Sequence, residues 1–124
     1  MALILIVDDS AFQRGILRRI VTAAGHDVLE AEEGNAGLEI AASKKPDCIL
    51  VDLIMGGMDG LTLLENLQGT HLDIPVIIIT ADTQDTTREK CMEIGAATVV
   101  LKPVKKDELC PIIEDVLGRK GGTM

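Results

Sequence analysis

Apolar residues along the chain fall into five short runs, separated by longer stretches in which apolar residues recur at helical spacing. Short runs of this kind are typical of β-strands, and the stretches between them are long enough for helices. The sequence therefore predicts a strand followed by a helix, repeated five times. The predicted strands are Leu3 to Val7, Asp27 to Ala31, Cys48 to Val51, Val76 to Thr80 and Thr98 to Leu101.

The stretch after the first strand gives the clearest helix, with Ser10 as the predicted N-cap and Gly25 as the stop. Its predicted buried face consists of Phe12, Ile16, Leu17, Ile20, Val21 and Ala24. The later helices are indicated by Leu38, Ala41 and Ala42 before Pro46; by Leu61, Leu64 and Leu67; by Thr87, Cys91 and Ile94 before Gly95; and by Leu109, Ile112, Ile113, Val116 and Leu117. Gly118 to Met124 are predicted to form a frayed tail.

The character of each run indicates how the strands are arranged. The first, third and fourth runs are almost entirely apolar, as parallel strands covered by helices on both faces are. In the second run the apolar Val28 alternates with the charged Glu30, which favours an edge strand. With right-handed crossovers, these elements form a single doubly wound α/β domain around a parallel sheet. Ligand sites in such sheets lie beyond the carboxyl ends of the strands.

Composition limits the size and the partners of the protein. Its 124 residues, 47% of them hydrophobic, fit one domain spanning 1–124. The chain has 12 Lys and Arg against 20 Asp and Glu, and this net charge of −8 should repel a nucleic-acid backbone. One Phe, with no Tyr or Trp, leaves nothing for bases to stack on. We expect no direct nucleic-acid binding, whereas the acidity favours cations.

Cysteine use and hydropathy bear on the compartment. Cys48, Cys91 and Cys110 are odd in number and lack Cys-x-x-Cys spacing, so we expect reduced, mainly buried thiols and no zinc site. Apolar runs are all shorter than the ~18 residues of a membrane span. The first run has neither the basic start nor the cleavage site of a signal peptide. These features predict a cytoplasmic protein that does not enter a membrane.

Polar side chains follow the predicted strands at their carboxyl ends, where parallel strands share one edge of the sheet. Asp8 and Asp9 follow the first strand, Asp52 the third, and Thr80 and Lys102 end the fourth and fifth. Carboxylates close together repel one another unless a cation joins them, and oxygen ligands suit Mg²⁺. The lysine and the hydroxyl supply a charge and a hydrogen-bond donor for a phosphoryl group. Asp52 is then a candidate nucleophile.

Each of these residues taken alone also has a purely structural explanation. Asp9 and Ser10 could simply cap the first helix, a common role at strand-to-helix turns. Thr80 alone is an ordinary strand residue, and Lys102 alone is an exposed charge. The functional interpretation depends on all of them meeting at one edge.

The segments LILIVDDS, LVDLIMGGMDG, VIIITA and VVLKP, in this order and spacing, resemble the signature segments of response-regulator receiver domains. The resemblance covers essentially the whole chain. It implies a flavodoxin-like fold with strand order 2-1-3-4-5. It also implies a stand-alone, chemotaxis-regulator-like receiver with no output domain in this chain.

The resemblance assigns a role to each residue at the strand ends. Asp52 is expected to accept a phosphoryl group from a phosphohistidine. Asp9, Asp52 and the backbone carbonyl of Ile54 are expected to bind Mg²⁺ directly, and Asp8 mainly through a water. Thr80 is expected to move toward the acyl phosphate and donate a hydrogen bond to it.

Lys102 is expected to pair with a phosphate oxygen. A cis bond before Pro103 is also common in the family and would direct Lys102 toward the site.

The chain departs from the family pattern in the loop after Asp52 and in the fifth strand. Gly56 and Gly57 stand where many receivers have a Pro close to the Met, which predicts a looser loop. Val99 stands where many carry an aromatic residue that turns inward on activation. Activation is therefore expected to work mainly through Thr80 and the loop from Ala81 to Thr86.

Two positions that tune dephosphorylation in this family are Ile54 and Asp82 here. An apolar side chain at Ile54 cannot orient an attacking water, whereas Asp82 has the chemistry to do so. An intermediate or long phosphoryl lifetime is the resulting hypothesis.

The expected partners are a sensor histidine kinase or a histidine phosphotransfer protein, and an unidentified effector. The resemblance places the effector face on the fourth helix, fifth strand and fifth helix, with Arg88, Val99, Lys105 and Lys106. His26 and His71, the two histidines, are expected to be solvated turn residues and not phosphohistidines.

Two enzyme-like or cofactor-binding alternatives fit the residues less well. Haloacid-dehalogenase-type phosphatases need a second acid two residues after the nucleophile, but Leu53 and Ile54 follow Asp52. A flavodoxin-like cofactor carrier needs a phosphate loop and aromatic residues after the first strand, where this chain has Asp8 and Asp9. A degenerate receiver that serves only as an interaction module remains an alternative. The expected protein is a phosphoacceptor switch and not an enzyme acting on a separate substrate.

Overall fold

Five parallel strands alternate with five helices in the computed structural model, which describes residues 2–55, 57–70 and 72–121. The strand order is β2-β1-β3-β4-β5, which confirms the predicted doubly wound, flavodoxin-like α/β fold. The elements are β1 (Leu3–Val7), α1 (Ala11–Ala23), β2 (Asp27–Ala31), α2 (Gly34–Lys44), β3 (Cys48–Asp52), α3 (Gly60–Gln68), β4 (Val76–Thr80), α4 (Asp85–Ile94), β5 (Thr98–Leu101) and α5 (Lys106–Gly121).

Helices cover both faces of the sheet, so its central strands are buried on two sides. Alternate residues of β1 enter opposite apolar clusters: Leu5 and Val7 pack in one, Ile4 and Ile6 in the other. Every residue of β3 and β4 is buried, as their continuous apolar sequences predict. The alternating β2 lies at one edge of the sheet, also as predicted.

The strands end almost level with one another at their carboxyl ends. This alignment follows from the parallel register, in which neighbouring strands run in the same direction and hydrogen-bond at matched positions. Residues that directly follow the strands therefore meet along one edge. The paired positions at this edge are Val7 with Val51, Asp52 with Ile79, and Thr80 with Leu101.

Helix α1 begins as predicted but buries fewer residues than its apolar pattern indicates. The Ser10 hydroxyl accepts a hydrogen bond from the backbone N–H of Gln13 at 3.2 Å, which confirms the N-cap. Phe12 is 79% exposed, so its predicted place in the core is wrong. Phe12 lies in the first turn of α1, which begins after β1 has ended. Ala24 is also exposed, because it follows the helix as the C-cap.

Two further sequence predictions need correction. His26 is buried, at 8% exposure, and is not a solvated turn residue. Its ring contacts residues that are distant in the sequence, so the short turn around it gave no sign of burial. Helix α5 continues to Gly121, past the predicted start of the tail at Gly118.

Some sequence predictions concern residues outside the described ranges. They are the glycine at position 56, His71 as a solvated turn residue, and the end of the tail at 122–124. Within the ranges that are described, none of the helices has both the length and the apolar character required to cross a membrane. Cys48, Cys91 and Cys110 are not joined in disulfides, and the first two of them are buried, as predicted.

Candidate functional site

Four polar side chains lie where strands end along one edge of the sheet. Asp8 directly follows β1, Asp52 ends β3, Thr80 ends β4 and Lys102 directly follows β5. Asp8 and Thr80 are each 1% exposed and Asp52 is 8% exposed. Buried polar groups need partners, so their hydrogen bonds and charges define what this edge of the sheet can do.

Three carboxylates converge at this edge, those of Asp8, Asp9 and Asp52. One oxygen of each lies within 4.8 Å of the others. Negative charges at this separation repel one another, and a divalent cation between them would remove that repulsion. All-oxygen ligand sets of this kind suit hard cations such as Mg²⁺. The arrangement of the three carboxylates therefore fits the magnesium ion that the sequence predicts.

Asp8 is held in place by its surroundings. Its N–H donates to the carbonyl of Ala31 at 3.1 Å, and its carboxylate accepts from the N–H of Ser10 at 2.9 Å. Burial raises the pKa of the Asp8 carboxyl, and the charges of Asp52 and Asp9 raise it further. The Ser10 hydrogen bond and the nearby Lys102 oppose this shift of the Asp8 pKa only in part.

Asp52 has a different partner on each carboxylate oxygen. Nζ of Lys102 lies 3.0 Å from Oδ2, and the N–H of Ile54 donates to Oδ1 at 3.3 Å. The peptide bond between Lys102 and Pro103 is cis, as expected. The backbone at Gly60 packs closely against the backbone of Asp52. A Cβ at Gly60 would lie 2.7 Å from the Asp52 carbonyl oxygen.

The Thr80 hydroxyl is connected to the beginning of α4 through Asp82. Oγ1 of Thr80 accepts a hydrogen bond from the N–H of Asp82 at 3.0 Å. The Asp82 carboxylate accepts from the N–H of Gln84 at 2.9 Å and from the hydroxyl of Thr87 at 2.6 Å. The Thr87 bond is the main cause of a lowered Asp82 pKa. Each Asp82 oxygen thus accepts one hydrogen bond at the beginning of α4 and keeps a further acceptor site.

Two large apolar side chains are exposed in the segments that follow the site aspartates. Phe12 lies in the first turn of α1, after Asp8 and Asp9. Ile54 lies two residues after Asp52 and is 73% exposed. Single exposed apolar side chains are common on protein surfaces, and these two are distinguished by their place just after the site aspartates in the chain.

Val99 lies in an open groove between α4 and α5, on the edge strand β5. The groove has a volume of about 320 Å³ and is lined by Arg88, Val99, Val100, Leu101, Glu108 and Ile112. Nη1 of Arg88 donates a hydrogen bond to the Val99 carbonyl oxygen at 3.2 Å. This bond satisfies a backbone acceptor of the edge strand β5. Arg88 and Val99 of the predicted effector face line this groove, whereas Lys105 and Lys106 are not among its lining residues.

The sequence did not indicate two residues that the structure shows to be well connected, Arg14 and His26. Arg14 donates from Nη1 to the carbonyl oxygen of Asp8 at 2.7 Å. His26 accepts from the N–H of Ala2 at 3.0 Å and contacts Glu114 at 2.8 Å. Neither contact belongs to a motif or a periodic pattern, so the sequence carries no signal for it.

A family model described as the response regulator receiver domain matches residues 4–114. The chain belongs to this family. The receiver is 38% identical to the protein PilH of Pseudomonas aeruginosa over 94% of its own length and 98% of that relative. It is 35% identical to the phosphate regulon transcriptional regulatory protein PhoB of the same species, but spans only 52% of that protein.

Solved structures confirm the fold of the receiver. A response regulator receiver domain protein from Clostridium thermocellum superposes with a TM-score of 0.93 at 25% identity, and each chain is covered completely. A CheY-like receiver domain protein from Methanospirillum hungatei superposes with a TM-score of 0.92 over 100% of this chain and 99% of the other. Its 23% identity supports the fold alone.

Proposed function

We propose that this receiver accepts a phosphoryl group on Asp52 in a Mg²⁺-dependent reaction and signals to a partner by a change of conformation. The observation that carries the proposal is the meeting of Asp8, Asp9 and Asp52 within 4.8 Å at the strand ends. Lys102, which forms an ion pair with Asp52, and the buried Thr80 lie at the same edge and complete the group of candidate site residues. These are the groups that a phosphoryl acceptor requires.

The donor is proposed to be a phosphohistidine of a sensor kinase or of a phosphotransfer protein. A carboxylate oxygen of Asp52 attacks phosphorus, the P–N bond to imidazole breaks, and the imidazole leaves with a proton. The product is an acyl phosphate on Asp52. Phosphoryl transfer of this kind depends mostly on positioning and on charge stabilisation, so it needs no further nucleophile.

The metal ligands are proposed to be Asp8, Asp9, Asp52 and the backbone carbonyl of Ile54, with Asp8 acting mainly through a water. When bound, Mg²⁺ supplies positive charge that offsets the charge on the phosphoryl oxygens. Lys102, which lies 3.0 Å from Asp52, is positioned to pair with one phosphoryl oxygen. The Thr80 hydroxyl donates a hydrogen bond to another, and movement of Thr80 toward it would alter the hydrogen bond that Oγ1 accepts from the N–H of Asp82.

The partners are proposed to use two surfaces. The exposed Phe12 and Ile54 support docking of a protein donor beside Asp52. The groove at Val99 supports binding of an effector. Residues 1–124 are proposed to act as a receiver domain, that is, as a switch and not as an enzyme with a separate substrate. Free cysteines fit a cytoplasmic location.

The proposal is tested by intact-protein mass spectrometry after incubation with acetyl phosphate, with Mg²⁺ and with a chelator. We expect a single phosphoryl adduct on the wild type with Mg²⁺, and none on Asp52→Asn. Asp59→Asn is the matched control, because Asp59 lies in the same loop and caps α3 through Thr62 at 2.8 Å. Asparagine is an equally good cap, so this variant should be labelled normally.

An adduct that persists in Asp52→Asn would overturn the assignment of the acceptor. Labelling that does not depend on Mg²⁺ would overturn the metal assignment. If acetyl phosphate and a panel of phosphorylated histidine phosphotransfer domains all leave the wild type unlabelled, the protein is an interaction module only.

A further inference from the structure

Arg14 connects the acidic site to the edge strand of the sheet. From α1, its Nη1 donates to the Asp8 carbonyl oxygen at 2.7 Å, and its Nε donates to Oε1 of Glu30 on β2 at 3.2 Å. Oε2 of Glu32 lies 3.9 Å from its Nη2. The Arg14 side chain is only 14% exposed, so its guanidinium is held between these groups.

The Asp8 carbonyl needs such a donor because it lies just beyond the paired part of β1. The last register pair between β1 and β2 joins Val7 with Ala31. Past this pair, no backbone N–H of the described residues is found to donate to the Asp8 carbonyl, and a buried carbonyl without a donor is unfavourable. Arg14 supplies the donor, and so fixes the main chain at the point where the two consecutive carboxylates, Asp8 and Asp9, leave the strand.

We propose that Arg14 is a positioning residue for the cation site: by holding the Asp8 carbonyl, it keeps the carboxylates of Asp8 and Asp9 at the spacing one divalent ion requires. This inference rests on the proposed function in taking the ion to be Mg²⁺. A small ion with strict octahedral geometry tolerates little displacement of its ligands. Residues that orient metal ligands without touching the metal typically change affinity ten- to a hundredfold when replaced.

The charge of Arg14 allows a clear test, because electrostatics and positioning predict opposite changes in Mg²⁺ affinity when Arg14 is replaced. A positive charge near three carboxylates disfavours a second cation, so removing it should tighten Mg²⁺ binding if only electrostatics mattered. Glu30 and Glu32 neutralise part of that charge, with the Glu30 contact at 3.2 Å. If Arg14 acts by position, its removal weakens Mg²⁺ binding instead. A purely structural clamp between α1 and β2 would lower stability and leave the affinity of the folded protein unchanged.

The experiment measures the Mg²⁺ dissociation constant by isothermal titration calorimetry, with thermal unfolding in chelator as a separate readout. Arg14→Gln should weaken binding by about tenfold. Arg14→Lys, which keeps the charge and one donor for the Asp8 carbonyl, should recover part of the loss. Arg19→Gln is the matched control: Arg19 is an exposed arginine of the same helix, and its replacement should leave the affinity at or slightly above the wild-type value.

An Arg14→Gln protein that is folded and binds Mg²⁺ as tightly as the wild type, or more tightly, would overturn the inference. If Arg14→Gln does not fold at the temperature of the titration, Arg14→Lys decides: it keeps the charge but loses the forked guanidinium, so a Mg²⁺ affinity weaker than that of the wild type supports the positioning role, and an equal or tighter affinity overturns it. Failure of the wild type to bind Mg²⁺ is a different result, because it removes the proposed metal site itself.

Discussion

Nζ of Lys102 lies 3.0 Å from Oδ2 of Asp52, although the two residues are 50 positions apart in the sequence. The lysine charge offsets part of the repulsion among Asp8, Asp9 and Asp52. The same positive charge disfavours a cation at these carboxylates. Lys102 is therefore expected to act in opposite directions on metal binding and on phosphoryl transfer.

Replacing Lys102 by Met should tighten Mg²⁺ binding by about threefold to tenfold, since a unit charge a few ångströms away contributes about 1 kcal/mol in water. Labelling by acetyl phosphate should become slower, because the partner for a phosphoryl oxygen is lost. Calorimetry and mass spectrometry measure the two effects. Lys105→Met, at an exposed lysine just before α5, is the control and should change neither quantity. Unchanged or weaker Mg²⁺ binding in Lys102→Met would contradict this relationship.

Magnesium should raise the thermal stability of the wild type, because the ion binds the folded state and relieves the repulsion among three carboxylates. At ten times its dissociation constant the gain is about 1.4 kcal/mol, which corresponds to a rise of several degrees in Tm. Circular dichroism melts with and without millimolar Mg²⁺ measure it. A melting curve that does not move at saturating Mg²⁺ would argue against an intact site.

Asp8→Asn should be more stable than the wild type without metal at neutral pH. Burial raises the Asp8 pKa above its ordinary value of 3.8, so ionised Asp8 destabilises the folded state. This destabilisation grows as the pH rises from 3.8 through the raised pKa and is constant above it. The asparagine can still accept the hydrogen bond from Ser10. We expect a Tm higher by a few degrees at neutral pH, and a loss of the Mg²⁺ effect.

The advantage of Asp8→Asn should shrink as the pH falls through the raised pKa toward 3.8. Asp73→Asn, which removes a charge from an exposed loop residue, is the control for net charge. An Asp8→Asn protein that is less stable than the wild type without metal, at every pH, would refute the destabilising role of Asp8.

Gly60→Ala should strongly destabilise the protein, whereas Gly69→Ala should be close to neutral. A Cβ at Gly60 would meet backbone, with the Asp52 carbonyl oxygen at 2.7 Å and Cα of Leu53 at 2.9 Å. A Cβ at Gly69 would lie 3.6 Å from its nearest neighbour, the Asn66 carbonyl oxygen. Urea unfolding should show a loss of about 3 kcal/mol or more at position 60. Equal stabilities of the two variants would show that the chain can move away from Gly60 without loss.

His26→Ala should cost about 2 to 3 kcal/mol, because it removes two hydrogen bonds that join the residue before β1, the α1–β2 turn and α5. Nδ1 of His26 accepts from the Ala2 N–H, so Nε2 carries the proton and donates to Glu114. Glu114→Gln keeps an acceptor and should cost less than about 1 kcal/mol. Urea unfolding compares them. A His26→Ala protein as stable as Glu114→Gln would exclude this structural role for the ring.

The sequence determined the order of the elements and the fold, because both depend on local patterns. The central strands are continuous apolar runs, and β2 alternates, so their burial and the edge position of β2 could be predicted. Asp8, Asp9, Asp52, Thr80 and Lys102 could be selected because parallel strands place all their carboxyl ends at one edge. The structure brings these side chains together, and their chemical roles remain predictions.

Only the tertiary structure decided the contacts that support this edge and the surfaces beside it. Arg14 reaches the Asp8 carbonyl, and His26 reaches Glu114, 88 positions away, through side chains that belong to no repeating pattern. Phe12 is apolar and correctly spaced for burial, yet it is exposed in the first turn of α1, which begins after β1 has ended. Periodicity records which residues share a face of one element. It does not record where the neighbouring layer ends or which distant groups lie within hydrogen-bonding distance.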